Sequence, residues 1–318
     1  MSTALVTGAT GQDGGYLCEQ LRAEGTEVVA AVERPELASV PWLEGAHVRA
    51  VDLRDAAGLS RLVAETAPDE IYNLAGMSSV ARSWQEPVLT AEVNALPVAV
   101  LLQAARDLQE RTGKAVRFVQ ASSAEIFGSA PTSPQDESTP VAPLNPYGAT
   151  KAFAHQLVGI YRSLGVGASS CILYNHESPR RPEQFVTRKI TAAAARIARG
   201  EQDKLLLGTL ESRRDWGWAP DYVAALVLAA RHTEPLDFVI ATGQTHSVGD
   251  FVEAAFRAAG VEDWEDVVEL DPTFSRPAEA TEQRGNPARA HEVLGWRQTV
   301  DFEEIVRRMV AADLDGTA

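Results

Sequence analysis

The N-terminal segment, in which a short apolar run leads straight into a glycine-rich turn, is the feature that most constrains the fold. Residues 4–6 read Ala-Leu-Val, glycines follow at Gly8, Gly11 and Gly14, and helical spacing begins at Tyr16. In such a strand–turn–helix unit the first glycine permits the tight turn, the second lets the backbone approach a pyrophosphate, and the third lets the helix pack closely. This context favours a dinucleotide site over a structural turn with chance glycines. The candidate cofactor residues of the loop also include Thr10, Gln12 and Asp13.

Short apolar segments alternate with helical periodicity through the first half of the chain. Strands are predicted at residues 4–6, 27–32, 47–51, 70–74, 116–121 and 168–174, and the predicted helices include residues 16–23, 56–66 and 91–109. This alternation predicts an α/β fold, a doubly wound parallel sheet with helices on both faces. Ligands of such sheets bind beyond the carboxyl ends of the strands.

The residues that follow these strands complete the predicted cofactor site. Glu33 ends the second strand, where a carboxylate would hydrogen-bond the adenosine ribose and repel a 2′-phosphate, whereas Arg34 beside it would do the opposite. Each could instead be a solvated surface charge. Glu33 favours NAD as the cofactor. The other candidate cofactor residues are Asp52, Leu53, Leu74, Ala75, Gly76 and Ser78.

A tyrosine four residues before a lysine forms the predicted chemical site. Tyr147 lies at the start of a predicted helix and Lys151 one turn further on, so the two side chains share a face. A lysine cation beside a phenol lowers the pKa of the phenol, which would make Tyr147 a usable base near neutral pH. Ser123, just past the fifth strand, can bridge a substrate hydroxyl and the phenol. An exposed Tyr–Lys pair is the alternative, but together with the glycine loop the residues favour oxidation of a carbinol with a nicotinamide.

Glu125 adds a carboxylate that a plain dehydrogenase of this kind does not need, two residues beyond Ser123. Once a sugar C4 hydroxyl has become a ketone, the C5 proton is acidic. A carboxylate over C5 can remove that proton, the C6 hydroxyl leaves as water, and the nicotinamide returns its hydride to C6. A surface position in a loop is the alternative for Glu125.

The alternation ends after about residue 176. Helices are predicted at residues 185–199, 221–231, 248–259 and 302–311, after a loop rich in proline and arginine. We therefore predict a dinucleotide-binding domain over residues 1–176 and a smaller, mainly helical substrate-binding region over residues 177–318. The second region would cover the ligand edge of the sheet, with some exchange of chain between the two.

The composition and net charge argue against several classes of binding partner. The net charge of −15 argues against nucleic-acid binding. Cys18 and Cys171 are the only cysteines and lie in apolar segments, which argues against a disulfide framework or a cysteine zinc site, and no metal site is predicted. The sequence starts without a leader-like segment and has no apolar run that approaches about 18 residues, which predicts a cytoplasmic protein without membrane contact.

Several longer stretches resemble one family of enzymes. They are residues 6–14, 68–75, 175–181, 185–190, 214–217, 238–243 and 276–279, and the run Asn-His-Glu-Ser-Pro-Arg-Arg at 175–181 is the most specific. On these residues the chain resembles the extended short-chain dehydrogenase/reductases and, within them, the GDP-mannose 4,6-dehydratases, over nearly its whole length. The resemblance implies conversion of GDP-mannose to GDP-4-keto-6-deoxymannose, with NADP as the cofactor.

The resemblance also implies roles for individual residues. His176 and Arg181 would contact the cofactor. The residues that would hold the GDP-sugar are Ser79, Asn175, Lys189, Arg214, Arg276 and Glu279. Arginines can grip a diphosphate with paired hydrogen bonds, and a carboxylate can bind guanine N–H groups or ribose hydroxyls. An ion pair within the C-terminal region is the alternative for each arginine.

Three departures from the family pattern bear on function. The catalytic segment reads Ser123-Ala124-Glu125 where the family has Thr-Ser-Glu, so one hydroxyl that would assist the loss of water is missing. Glu33 stands where the family has arginine, which favours NAD over NADP. The segment at residues 34–46 is shorter than the family's loop that reaches a neighbouring subunit, so a homodimer is predicted and the family's tetramer is in doubt.

Three alternatives to the dehydratase stay open. They are a nucleotide-sugar 4-epimerase or 4-reductase, a dehydratase of another nucleotide-sugar, and a catalytically silent cofactor-binding regulator. Glu125 argues against the first, because epimerases need no C5 base, although Ala124 leaves room for it. Ser123, Tyr147 and Lys151 argue against the silent regulator.

Overall fold

A seven-stranded parallel sheet forms the centre of the protein, whose computed structural model describes residues 2–271, 273 and 280–317. The elements of the first half are β1 (Thr3–Thr7), α1 (Gln12–Ala23), β2 (Glu27–Val32), β3 (His47–Ala50), α2 (Ala56–Thr66), β4 (Glu70–Asn73), α3 (Val80–Gln85), α4 (Pro87–Asn94), α5 (Leu96–Thr112), β5 (Arg117–Ser123), α6 (Pro146–Ser163) and β6 (Gly167–Leu173). Those of the second half are β7 (Asn175–Glu177), α7 (Val186–Ala198), β8 (Leu205–Leu207), β9 (Arg213–Arg214), β10 (Trp216–Trp218), α8 (Ala219–Arg231), β11 (Asp237–Ile240), β12 (His246–Ser247), α9 (Val248–Ala258), β13 (Val268–Leu270), β14 (Glu282–Gln283), α10 (Ala288–Val293) and α11 (Phe302–Asp315).

The order of the strands in the main sheet is β11-β6-β5-β4-β1-β2-β3. Two apolar cores lie on its opposite faces, one including Leu17 of α1 and the other including Leu101 of α5. The order in which the strands are added reverses beside β1, so the loops after β1, β4 and β5 meet at one edge of the sheet. Doubly wound sheets bind their ligands at such an edge. The predicted fold class is confirmed.

Each of the six predicted strands lies within two residues of an observed one. The helix predicted at residues 91–109 is wrong as a single element, because the chain forms α4 and α5 with a break at Ala95. Pro97 accounts for the break, since its ring clashes with the carbonyl four residues before it. The helix after the glycine turn begins at Gln12 and not at Tyr16.

The seventh strand, β11, was not among the predicted strands and comes from the C-terminal half of the chain. It pairs in parallel with β6, so that Phe238 lies opposite Cys171. The helix before it, α8, packs against α1, β5 and β6. The C-terminal half thus completes the central sheet before it forms its own structure.

The remaining C-terminal elements enclose a third apolar core. Helices α7, α9 and α11 pack against one another around side chains such as Phe251 and Met309. Among the described residues three short sheets accompany them, β10-β7, β12-β9-β14 and β13-β8. This region is less purely helical than predicted, and the three-stranded sheet brings Arg214 and Gln283 side by side.

Helices α4 and α5 together span 26 residues, Pro87–Thr112, and are apolar enough by length and composition to cross a membrane. Half of the apolar 18-residue segment within it is buried inside the protein, as in a core helix. α5 packs against α2, and its buried side chains belong to the core on one face of the central sheet.

Candidate active site

The glycine turn between β1 and α1 is shaped for a close-lying phosphate. Gly8 has a φ of +71°, and a Cβ atom there would lie 2.8 Å from the backbone nitrogen of Ala75. A Cβ atom on Gly14 would lie 2.1 Å from the carbonyl oxygen of Gly8. Gly11, the residue before α1, provides no side-chain cap, which leaves the positive end of the helix to a ligand. The turn therefore fits the pyrophosphate of a dinucleotide.

Two polar side chains at the start of α1, Gln12 and Asp13, hydrogen-bond to the segment after β6. The Gln12 side chain donates to the carbonyl oxygen of His176 at 3.2 Å and accepts from the hydroxyl of Ser178 at 2.8 Å. Asp13 Oδ2 lies 2.9 Å from His176 Nε2. Burial alone would disfavour both charges, but their mutual attraction outweighs it, so the pKa of Asp13 is lowered and that of His176 is raised. The glycine turn and β7 are thus held together by an ion pair beside the predicted cofactor site.

The predicted adenosine end lies beyond β2 and β3. Glu33 and Arg34 are both exposed. Asp52 accepts hydrogen bonds from the Arg54 side chain, at 2.7 and 3.1 Å, and these bonds together with one from the Arg54 backbone hold the pKa of Asp52 below its ordinary value. A cleft of about 500 Å³ lies there, lined by Asp52, Leu53, Arg54, Asp55, Ala56, Glu92, Leu96 and Val100. Its mixed acidic and apolar lining suits an adenine and its ribose.

The loop after β4 is fixed from two sides. Thr7 at the end of β1 accepts from the backbone nitrogens of Leu74 and Ala75, at 3.2 Å each. Asn94 on α4 holds both backbone groups of Met77, at 2.7 and 2.9 Å. Beyond them, Gly76 and Ser78 are exposed, and Ser79 caps α3 through the backbone nitrogen of Arg82. Thr7 and Asn94 were not among the predicted residues, because their partners are backbone groups distant in the chain.

Tyr147 and Lys151 lie on one face of α6, both buried, under the end of β5. The Lys151 Nζ atom is 5.8 Å from the centre of the phenol ring and donates to the carbonyl oxygen of Ala121 at 2.9 Å. Burial raises the pKa of Tyr147 to about 12, although the hydrogen bond with Ser123 opposes the rise. Burial also lowers the pKa of Lys151 to about 8. The expected lowering of the phenol pKa is therefore wrong for this structure, because desolvation and the negative charges of Glu125 and Asp13 outweigh the Ser123 hydrogen bond and the positive charge of Arg181.

Glu125 faces the start of α6 from a short 3-10 turn after β5. Its Oε2 atom accepts from Asn145 Nδ2 at 2.7 Å and its Oε1 atom from Gln283 Nε2 at 3.1 Å. The backbone nitrogen of Glu125 donates to the hydroxyl of Ser123 at 3.3 Å. Asn145 also caps α6, because its Oδ1 atom accepts from Gly148 N at 2.8 Å. The structure therefore brings the four predicted catalytic residues to one place, and it adds two amides that hold the carboxylate.

The residues expected to hold the substrate lie on the C-terminal elements. Asn175 begins β7, opposite Trp216 of β10. Lys189, half-buried on α7, donates to the carbonyl oxygen of Leu206 at 2.7 Å. Arg214 is buried on β9. Arg276 and Glu279 lie outside the described residues.

Arg181 follows β7 and contacts Glu177 and Phe185. Its Nε atom is 3.4 Å from Glu177 Oε2, and its guanidinium lies 3.9 Å from the centre of the Phe185 ring. Burial raises the pKa of Glu177. Arg181 is also close enough for its charge to lower the pKa of both Asp13 and Tyr147. It therefore lies within electrostatic reach of both the glycine turn and the phenol.

Comparison with known proteins agrees with this geometry. The family model described as GDP-mannose 4,6 dehydratase matches residues 5–309. GDP-mannose 4,6 dehydratase 2 of Arabidopsis thaliana is 43% identical, over 98% of this chain and 87% of that protein. The chain belongs to the GDP-mannose 4,6-dehydratase family. The predicted resemblance is confirmed.

Two solved structures share the fold of this chain. The UDP-glucose 4-epimerase of Thermus thermophilus in complex with NAD has a TM-score of 0.84 and 29% identity, covering 98% of each chain. RMD from Pseudomonas aeruginosa complexed with NADPH has a TM-score of 0.83 and 26% identity, covering 99% of this chain and 100% of that chain. As a member of the GDP-mannose 4,6-dehydratase family, the protein is a nicotinamide-dependent enzyme that takes NAD or NADP, and the glycine turn described above fits that group.

Proposed function

We propose that the protein is a GDP-mannose 4,6-dehydratase, which converts GDP-mannose to GDP-4-keto-6-deoxymannose. The observation that carries the proposal is the carboxylate of Glu125, held by two amides beside the Ser123, Tyr147 and Lys151 side chains. A site that only oxidises and reduces C4 needs no such base. Glu125 gives this site a second proton acceptor for the carbon next to the new ketone.

The first chemical step is oxidation at C4. Ser123 orients the C4 hydroxyl, and Tyr147 takes its proton. Lys151 fixes α6 against β5 through Ala121 and supplies a positive charge near the phenol as the phenolate forms. When bound, the nicotinamide supplies the hydride chemistry of the reaction, accepting the hydride from C4 and returning it at C6.

The second step is the elimination of water. Glu125 takes the C5 proton, the C5–H electron pair forms the C5–C6 double bond, and the C6–O bond breaks. The proton on Glu125 leaves with the C6 oxygen as water, so the carboxylate is regenerated. C5 takes a proton from solvent when C6 receives its hydride, and the C4 proton held by Tyr147 passes to solvent. Ala124, which is buried beside it, has no hydroxyl to share this task. Glu125 therefore serves as base and then as acid in this proposal.

The GDP-sugar is proposed to lie between the central sheet and the C-terminal elements. Arg214 and Lys189 supply positive charge for the diphosphate, and Asn175 supplies an amide for the sugar. Ser79 is proposed to bind the sugar from the other side. Arg276 and Glu279, outside the described residues, are proposed for the nucleoside. On this basis residues 1–176 form the cofactor domain and residues 177–318 the nucleotide-sugar region, with α8 and β11 returning to the sheet.

A homodimer is proposed from an exposed apolar stripe on α6. Phe153, Ile160 and Leu164 follow one another at helical spacing and are 44%, 55% and 52% exposed. The neighbouring helix α4 adds Val88, which is 70% exposed. Two copies of this surface would cover each other about a two-fold axis. The proposed setting is the cytoplasm, with a GDP-sugar as the partner and neither nucleic acid nor membrane.

Incubation with GDP-mannose in deuterated water tests the proposed reaction. We expect a product lighter by one molecule of water, with solvent deuterium at C5, in mass spectra. UDP-glucose serves as the matched control substrate. A product of unchanged mass with an inverted C4 centre would show a 4-epimerase, and no turnover with bound dinucleotide would show a silent regulator.

A further inference from the structure

We infer that Gln283 is a positioning residue for the carboxylate of Glu125. The inference rests on the proposed function and deepens it, because Glu125 is the group proposed to take the C5 proton. Gln283 Nε2 donates to Glu125 Oε1 at 3.1 Å across 158 positions of sequence. With Asn145 on the other oxygen at 2.7 Å, both oxygens of the carboxylate accept a neutral N–H donor. A donor on each oxygen fixes the plane of the carboxylate.

The backbone of Gln283 is held on both sides. In β14 it lies opposite Arg214 of β9, and the backbone nitrogen of Asp215 donates to its carbonyl oxygen at 3.0 Å. On the other side, Gln135 N donates to the carbonyl oxygen of Arg284 at 2.8 Å. Gln283 is only 2% exposed. Its amide therefore points at Glu125 from a fixed frame, as precise positioning requires.

This frame joins the two halves of the proposed site. Asn145 caps the start of α6, the helix that contains Tyr147 two residues further on. Gln283 belongs to the sheet that carries Arg214, which is proposed to hold the diphosphate. Glu125 is therefore aligned with the phenol through one amide and with the anchored substrate through the other. Gln283 contributes to the C5 step and not to the oxidation at C4.

Gln283→Met tests the inference, because methionine keeps the length of the side chain and removes the donor. With GDP-mannose, we expect the appearance of reduced nicotinamide to keep its rate, while water loss and deuterium entry at C5 slow by about 10- to 100-fold. Gln283→Glu keeps the shape and places a like charge beside Glu125, so it should slow water loss at least as much as Gln283→Met.

Gln109→Met is the control, since Gln109 Nε2 also donates at 3.1 Å, to the carbonyl oxygen of Gly165, and does not touch Glu125. It should leave the ratio of the two steps unchanged. The inference is overturned if Gln283→Met slows both steps alike, if it slows neither, or if Gln109→Met has the same effect. A wild-type enzyme that neither loses water nor exchanges C5 would instead overturn the proposed function.

Discussion

Asp13 of the glycine turn and His176 of β7 form a largely buried ion pair, with 2.9 Å between Oδ2 and Nε2, across 163 positions of sequence. His176 also stacks on Tyr222 of α8, with 4.7 Å between the ring centres. His176 of β7 therefore connects the cofactor turn, through Asp13, with helix α8, through Tyr222. This arrangement makes the stability of the cofactor site depend on pH.

The pair should stabilise the protein most between about pH 4 and 6.5. The pKa of His176 is raised above its ordinary 6.5, so its contribution is complete below that pH and is lost as the pH rises through the folded value. The pKa of Asp13 is lowered below 3.8, so its contribution is present above that pH and is lost on further acidification. His176→Asn should lower the unfolding temperature by several degrees at pH 6 and by less at pH 9, as a pH series of thermal melts would measure. At pH 9 the attraction of the two charges is gone, and the variant loses the stacking on Tyr222 and the hydrogen bonds of a neutral imidazole.

His155 is the control for the sign of this effect. It lies against Ser170, and burial lowers its pKa, so its contribution to stability grows as the pH rises towards and through its ordinary value. The cost of His155→Asn should therefore increase from pH 5 to 8 while that of His176→Asn decreases. Parallel pH trends for the two variants would contradict the ion pair.

Glu125→Gln should abolish dehydration and leave oxidation at C4 in place. A lost general base costs about 10²–10⁴-fold in rate, whereas the amide keeps the size of the side chain. Substrate should still reduce the bound nicotinamide, and deuterium should not enter C5. Glu137→Gln is the matched control, because Glu137 is another shielded carboxylate, bonded to the backbone of Val239 at 2.8 Å, and its variant should turn over normally. Normal turnover by Glu125→Gln would contradict the role of Glu125 as the C5 base.

Tyr147→Phe should block the earlier step. The phenol takes the C4 proton, so its loss should slow the reduction of the nicotinamide by about 10²–10⁴-fold. Because burial raises the pKa of Tyr147 to about 12, the rate of the wild-type step should rise with pH through the neutral range. Lys151→Met should slow the same step and also lower stability, since it removes one of the two side-chain donors to the buried carbonyl of Ala121 and leaves only Gln120 Nε2, at 2.9 Å. A phenylalanine variant that reduces its nicotinamide at a near-normal rate would remove Tyr147 from this role.

The sequence predicted the sheet well because its signals are local. Residues 27–32 are a nearly uninterrupted apolar run between turns, and the structure has the same strand. β11 was missed because residues 237–240 follow a long stretch without alternation, and only pairing with β6 makes them a strand of the main sheet. The break at Ala95 had a local signal in Pro97 that the apolar periodicity concealed.

The candidate site was predictable to the extent that its residues follow strands. Ser123, Glu125 and Tyr147 meet because β5 ends where α6 begins. Gln283 carries no signal of its role, because a glutamine in a two-residue strand acquires its function only through a partner 158 positions away. The pKa of Tyr147 was also out of reach, since it depends on how completely the fold buries the phenol.

Glu33 leads to the last prediction, that NAD binds at least as well as NADP. A carboxylate about 8 Å from a 2′-phosphate is repulsive by about 1–2 kcal/mol at an effective dielectric of about 20–40. Glu33 and Arg34 are both exposed, so water and salt weaken this repulsion, and Arg34 offsets part of it. Glu33→Arg should shift the preference towards NADP by about tenfold, and Glu36→Arg, an equal change of charge on the next exposed turn, should shift it much less. Dissociation constants for both dinucleotides on the emptied protein measure this directly. Tighter NADP binding to the wild type, or equal shifts in the two variants, would show that Glu33 faces solvent and leaves the choice of cofactor to other residues.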